Sequence, residues 1–135
     1  MYLSISYYGP SSKCGICRYA GRLISAGRAY TPAASFYATE PKSKDVYTNK
    51  RSEDASSHNF ILKKWSLVSV FNKIRILDKR RTIAHFHYPS TKPSLVYLLS
   101  PLIFKLMGFQ VYQTWHEELS RAGWIKALIL RTHTN

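Results

Sequence analysis

The sequence predicts an α/β domain with an open, mostly parallel sheet and helices on both faces. Its 135 residues, taken as a single domain, are enough to bury one core. Strand-like and helix-like segments alternate in the order β-α-β-α-β-α-β-α, which is typical of parallel sheets. A hydrophobic fraction of 45% and a charged fraction of 20% are ordinary for a globular protein.

The first half supplies two predicted strands and one helix. Tyr2–Tyr8 is rich in β-forming residues and roughly alternates in polarity, so it is predicted to be the first strand. Residues 9–12 are predicted to turn, and residues 29–39 to hold a second strand. Residues 15–26 are predicted to be a helix. Its apolar side chains at helical spacing are Ile16, Tyr19, Leu23 and Ala26.

A polar stretch and the clearest helical pattern follow. Residues 41–58 show no apolar period and are predicted to be a polar loop. Residues 60–81 are predicted to be one basic amphipathic helix, which either packs on the sheet or lies on an anionic membrane. We favour packing on the sheet, with the lysines in water. The apolar face consists of Leu67, Val70, Phe71, Ile74 and Leu77.

The last part of the chain repeats the strand–helix order. Residues 82–88 and 109–115 are predicted to be the third and fourth strands, with an apolar helix at 93–107 between them. Residues 120–131 can form a last helix. In parallel sheets ligands bind beyond the carboxyl ends of the strands, so the side chains near those ends are the first candidates for a site.

The charge of the chain is unusual. Twenty Lys and Arg side chains against seven Asp and Glu give a net charge of +13. Such a surface attracts nucleic acid, anionic lipid headgroups or phosphorylated small molecules. The most apolar stretch, at 95–104, is shorter than the roughly 20 residues that a membrane-spanning helix needs. No cleavable signal is visible, so we expect a cytoplasmic protein that can lie peripherally at the inner face of a membrane.

Two short motifs precede and begin the first predicted helix. The glycine loop at 9–15 can offer backbone N–H groups to a phosphate, or it can be a tight turn without a ligand. Cys14 and Cys17 form a C-x-x-C motif, which occurs in thiol oxidoreductases and in half-sites for zinc. No second C-x-x-C accompanies it, and we favour the simpler interpretation of two small residues at a loop and helix start.

Three histidines lie at the ends of the last two predicted strands. His85 and His87 are two residues apart on a strand, so they share a face of the sheet. His116 follows the next strand and is itself followed by Glu117. An imidazole there can hydrogen-bond a sugar hydroxyl or a developing phosphate charge. We expect His85 to be a hydrogen-bonded core histidine and His116 to be functional.

Several segments together resemble a known family. Residues 6–10 and 15–23 resemble the strand, glycine loop and aromatic-bearing helix that open the group 1 GT-B glycosyltransferases. Residues 83–89 (IAHFHYP) resemble the family's D-I-V-H-x-H strand. Residues 105–117 (KLMGFQVYQTWHE) resemble its K-L-x-G-x-x-V-V-x-T-x-H-D/E segment. The likeness covers most of the chain apart from residues 29–58.

The resemblance implies the N-terminal, acceptor-side Rossmann-like domain of an enzyme that moves a sugar from a nucleotide-sugar donor to a polysaccharide or lipid-linked acceptor. By this resemblance Gly15 would approach the donor diphosphate through its backbone, and His116 would be catalytic, near the transferred sugar. His87 would line the acceptor side, and Glu117 would also bind substrate. The resemblance implies no metal, because many members of the family need none, and no cofactor, because the nucleotide sugar is itself a substrate. An anionic membrane surface and a separate donor-binding domain are the further partners expected.

The chain also departs from the family pattern. Paired glycines are common where it has Gly15 and Ile16, and the family's two glutamates eight positions apart are absent. We therefore expect a truncated glycosyltransferase that is inactive on its own, since reaction in a two-domain cleft needs both walls. The main alternative is a basic nucleic-acid-binding protein, which the charge and the 14% aromatic content favour. A C-x-x-C thiol oxidoreductase is the lesser alternative.

Overall fold

A computed structural model describes residues 1–9, 12, 14–39, 59–88 and 94–116 of the chain. Within these ranges lie five strands and three helices. The polar loop predicted at 41–58 and the helix predicted at 120–131 lie outside the described residues. In chain order the elements are β1 Tyr2–Tyr8, α1 Gly15–Gly27, β2 Ala33–Ala38, β3 Phe60–Leu62, α2 Leu67–Ile74, β4 Ile83–Tyr88, α3 Leu95–Leu106 and β5 Gln110–Trp115.

The strands form one sheet in the order β3-β2-β1-β4-β5, and every neighbouring pair is parallel. The α/β class and the open Rossmann-like sheet predicted from the sequence are confirmed. From β1 the chain first builds outward through β2 and β3, and it then returns to add β4 and β5 on the other side of β1. The direction of winding therefore reverses between β1 and β4, which makes this the topological switch point of the sheet.

One face of the sheet carries the main hydrophobic core. Side chains alternate between the two faces along a strand, so Leu3 and Ile5 point to the same side as Phe86 on the neighbouring strand. Helices α2 and α3 pack on this face through Val70, Phe104 and their neighbours. The buried members of this core are Leu3, Ile5, Ala34, Phe36, Ala38, Leu62, Trp65, Val70, Ile74, Leu77, Ala84, Phe86, Tyr88, Tyr97, Phe104 and Phe109.

The opposite face of the sheet is polar, and α1 covers it. Helix α1 lies against β1, β2 and β4. Ser4 of β1 aligns with Ser35 on one side and with His85 on the other. The next row on this face aligns Ser6 with His87, and all three serines are buried. The sheet therefore separates an apolar core from a buried polar layer, and the candidate site lies on the polar side.

The helix predicted at 60–81 is shorter in the structure. Phe60–Leu62 is instead the edge strand β3, which pairs with β2 in the register Phe36 to Phe60. Helix α2 begins after Ser66, whose hydroxyl accepts a hydrogen bond from the backbone N–H of Ser69 at 3.2 Å. The prediction was wrong because the apolar spacing continues across a strand, a turn and a helix, and spacing alone does not mark their boundaries.

The packed face of α1 also differs from the prediction. The buried side chains are Cys17, Ala20 and Ile24, whereas Tyr19 is exposed over half of its surface. Small side chains at 17 and 20 let the helix approach the polar strands closely, so the bulkier residues are turned to the side. Helical spacing correctly predicted the helix but chose the stripe of larger apolar residues as its packed face.

Candidate functional site: a histidine cluster at the carboxyl edge of the sheet

Three histidine rings lie together beside the switch point. The ring centroids of His85 and His87 are 4.2 Å apart, and those of His87 and His116 are 6.0 Å apart. His87 is the penultimate residue of β4, and His116 directly follows β5. The cluster therefore occupies the carboxyl edge of the sheet, the position at which parallel α/β sheets bind their ligands.

His85 is the anchored member of this cluster. Its Nε2 lies 2.7 Å from the hydroxyl of Thr114, and its Nδ1 hydrogen-bonds the hydroxyl of Tyr2. Burial, and secondarily the nearby His116, lowers the pKa of His85. Burial also raises the pKa of the Tyr2 hydroxyl to about 12, so both partners are uncharged at neutral pH. The expectation of a hydrogen-bonded histidine at 85 agrees with these contacts, although the ring is only half-buried.

His87 is buried and has unused hydrogen-bonding capacity. Only 1% of its surface is exposed, and neither ring nitrogen has a hydrogen-bond partner among the described residues. Burial lowers the pKa of His87 to about 3, and the neighbouring His85 and His116 add to the effect. Its neutral ring thus keeps one donor and one acceptor. Buried polar atoms without a protein partner are uncommon in folded proteins, and they bond an ordered water or a ligand or mark a strained or functional position.

His116 and Tyr19 form the outer part of the cluster. The Tyr19 ring meets His116 edge to face at 5.7 Å and His87 at 6.2 Å, so a residue of α1 touches histidines of both strands. His116 is exposed, and partial desolvation lowers its pKa below the ordinary value. At neutral pH it is therefore mainly a neutral imidazole at the surface, able to donate or accept a hydrogen bond.

The start of α1 lies at the same edge of the sheet. Gly15 begins this helix and is exposed, and a side chain added there would meet no atom within 4 Å. Tyr19 lies four residues further along the helix, roughly 6 Å away along its axis. The structure thus brings Gly15, His87 and His116 to one edge, while Glu117 lies outside the described residues.

Tyr2 and Tyr19 contact the cluster but are not candidate site residues in the sequence, whereas Thr114 begins one of the strand ends that are. Helical spacing places Tyr19 on the packed face of α1 instead. A signal for Tyr2 is nevertheless present, because it shares the polar face of β1 with Ser4, and Ser4 aligns with His85 on the neighbouring strand. The position of Tyr19 depends on how α1 is rotated, which its apolar spacing did not reveal.

The two cysteines lie at the start of α1 and are both free thiols. Cys17 is fully buried. Burial, together with a hydrogen bond to Cys14, raises the pKa of the Cys17 thiol to about 12. A reactive cysteine needs a lowered pKa and access to solvent, so these properties argue against Cys17 as an attacking thiolate.

Comparison with protein-family models, with curated proteins and with solved structures gave no match. In the described part of the chain, no three His, Cys, Asp or Glu side chains are grouped so that they could hold a metal ion. Over the same residues, no helix has the length and apolar character needed to cross a membrane. What the fold and the site define is an α/β domain with a neutral histidine cluster at its switch point.

Proposed function

We propose that this domain is the acceptor-side half of a glycosyltransferase that moves a sugar from a nucleotide-sugar donor to a polysaccharide or lipid-linked acceptor. The observation that carries the proposal is the cluster of His87, His116 and Tyr19 at the carboxyl edge of a parallel sheet, beside the exposed start of α1. The segments that resemble group 1 GT-B glycosyltransferases contribute the residues of this cluster.

The chemistry of the cluster suits a sugar better than a charged ligand. The pKa values of all three histidines are lowered, so their rings are neutral near pH 7. Neutral imidazoles donate and accept single hydrogen bonds, which match hydroxyl groups, and an aromatic ring such as Tyr19 can pack against the apolar side of a sugar. The basic side chains around the domain add a field that attracts a diphosphate.

In this proposal each residue has a separate role. His116 hydrogen-bonds a hydroxyl of the transferred sugar, and the backbone N–H groups near Gly15 approach the donor diphosphate. His87 lies on the acceptor side, and its unpartnered ring nitrogens can bond an acceptor hydroxyl when α1 moves and exposes the buried ring. Glu117 remains a proposed substrate-binding residue. A second domain would supply the rest of the donor site, so binding is a more direct test of this half than turnover.

Nuclear magnetic resonance of the histidine side chains tests the proposal. Millimolar additions of UDP- and GDP-sugars should shift the ring signals of His116 and His87. Replacing His116→Ala should weaken binding about fivefold, the usual effect of losing one hydrogen bond. Gln110→Ala is the matched control, because Gln110 is exposed on the same face of β5 at its opposite end. Unmoved histidine signals with every nucleotide sugar would refute the proposal.

The alternative of nucleic-acid binding has support from the charge distribution. Asp78 is the single acidic residue within the described ranges, against eleven Lys and Arg. An oligonucleotide that binds with a strong salt dependence, while nucleotide sugars produce no histidine shifts, would favour this function. Binding of both ligands to the same histidines would instead indicate recognition of a shared nucleotide or phosphate group.

A further inference from the structure

The surface formed by α2 and α3 exposes several large apolar side chains. Leu67 is 56% exposed, Val68 71% and Phe71 52%. Together with Asn72 and with Ile103 of α3 they line a groove of about 330 Å³. Val70 and Ile74 of α2 are fully buried in the core. The exposed residues therefore form a second apolar stripe on α2, beside the stripe that holds the helix to the sheet.

Positive charges flank this apolar surface at both ends. Lys64 lies three residues before Leu67 and is exposed. Arg75 is also exposed, and its backbone N–H bonds the carbonyl of Phe71, which puts it one helical turn further along the same side of α2. Asp78, the only acid in the described ranges, pairs with Arg81 at 3.8 Å on the surface. The surroundings of the groove are therefore strongly cationic.

We propose that the α2–α3 surface docks on an anionic phospholipid bilayer. In this arrangement Leu67, Val68 and Phe71 enter the boundary between headgroups and acyl chains, and Lys64 and Arg75 contact lipid phosphates. An anionic bilayer presents lipid phosphates above its acyl chains. This surface matches that arrangement, because its cations flank apolar side chains. Charge complementarity favours an anionic partner over a neutral or cationic one, since the described ranges hold eleven basic residues and one acid.

Docking through this surface is compatible with a site elsewhere on the domain. Helices α2 and α3 cover the apolar face of the sheet, whereas α1 and the histidine cluster lie on the other face. A bilayer against α2 would leave the histidine face uncovered. The inference does not depend on the proposed sugar transfer, because it uses none of the histidines and none of their chemistry.

Co-sedimentation with vesicles tests the docking. The full chain should bind phosphatidylcholine vesicles that contain about 30% phosphatidylglycerol, and it should bind pure phosphatidylcholine far more weakly. Val68→Ser with Phe71→Ser should weaken binding about tenfold or more, because apolar burial is lost. Lys64→Gln with Arg75→Gln should weaken it about 25-fold, at about fivefold per charge.

Matched controls separate this surface from total charge and total apolar exposure. Arg18→Gln with Arg22→Gln removes the same charge from exposed positions of α1, and Tyr30→Ser removes an apolar ring that is 91% exposed. Both controls should keep most of the binding. If the charge control weakened binding as much as the α2 pair does, the proposal of a specific docking surface would be overturned.

A second readout guards against variants that fold poorly. In a Cys14→Ser background, Val68→Cys carries an environment-sensitive fluorophore, while Cys17 is buried and unlabelled. A blue shift with the anionic vesicles is expected. Vesicle binding without a blue shift would overturn the proposal in favour of simple electrostatic adsorption. Self-association that Phe71→Ser abolishes, with no vesicle binding, would overturn it in favour of a protein partner.

Discussion

Protonation of His87 should destabilise the fold as the pH falls. The unfolded chain binds this proton with the ordinary histidine pKa of 6.5, whereas burial lowers the pKa in the folded protein to about 3. Between these two values the unfolded state holds the proton and the folded state does not. The stabilising effect of a neutral His87 is therefore fully present above about pH 6.5, and it is lost progressively down to about pH 3.

The size of this effect follows from the difference in pKa. Each pH unit below 6.5 costs about 1.4 kcal/mol until the folded pKa is reached, so about 2 kcal/mol is lost by pH 5. Such a loss is a large part of the stability of a small domain. The neighbouring His85 and His116 have lowered pKa values as well, and their protonation acts in the same direction.

Urea unfolding of the wild type and of His87→Gln over about pH 5 to 7.5 measures the effect. Glutamine does not titrate. As the pH falls over this range, the free energy of unfolding of His87→Gln should therefore decrease by about 2 kcal/mol less than that of the wild type. His116→Gln, at an exposed position, should keep most of the slope of the free energy of unfolding against pH. Equal slopes in wild type and His87→Gln, or an NMR titration of His87 near pH 6.5, would refute the assignment of a buried neutral ring.

Three further substitutions probe packing. Tyr97→Phe removes a hydroxyl that donates to the His87 carbonyl oxygen at 2.7 Å, and it should cost about 1–2 kcal/mol in chemical denaturation. Phe104→Ala empties a fully buried core position and should cost about 3–5 kcal/mol in the same assay. Gly9→Ala would put a methyl group 2.7 Å from the ring of Tyr37, so a loss of about 1–3 kcal/mol is expected in thermal unfolding.

Tyr30→Phe provides the reference for these measurements. This side chain is 91% exposed, and its change should stay within about 0.5 kcal/mol. A Gly9→Ala variant as stable as this control would show that the Tyr37 ring moves aside without a loss of stability. A Phe104→Ala cost below about 1 kcal/mol would contradict the placement of that ring in the core.

The fold class was predictable because its signals are local and repeated. The strands predicted at Tyr2–Tyr8, from β-forming residues of roughly alternating polarity, and at 82–88 are present in the structure at nearly the same bounds. The edge strand Phe60–Leu62 was missed, because three apolar residues just before a helix fit a helical pattern equally well. Its strand conformation depends on pairing with β2, which is distant in sequence.

The candidate site was predictable to a similar degree. The alternation rule put His85 and His87 on one face, and the order of strands put His116 near them. The part played by Tyr19 could not be predicted in the same way. It requires knowing which stripe of α1 meets the sheet, and that is decided by the small residues Cys17 and Ala20 rather than by the larger apolar ones.

The packing of α1 has a consequence for the dynamics of the domain. Only Cys17, Ala20 and Ile24 of this helix are buried, and two of the three are small. Helix α3, in contrast, is held by the fully buried rings of Tyr97 and Phe104. Helix α1 should therefore open by local unfolding at a lower free energy than α3 and exchange its amide hydrogens sooner. Each opening event would briefly admit water to the ring of His87.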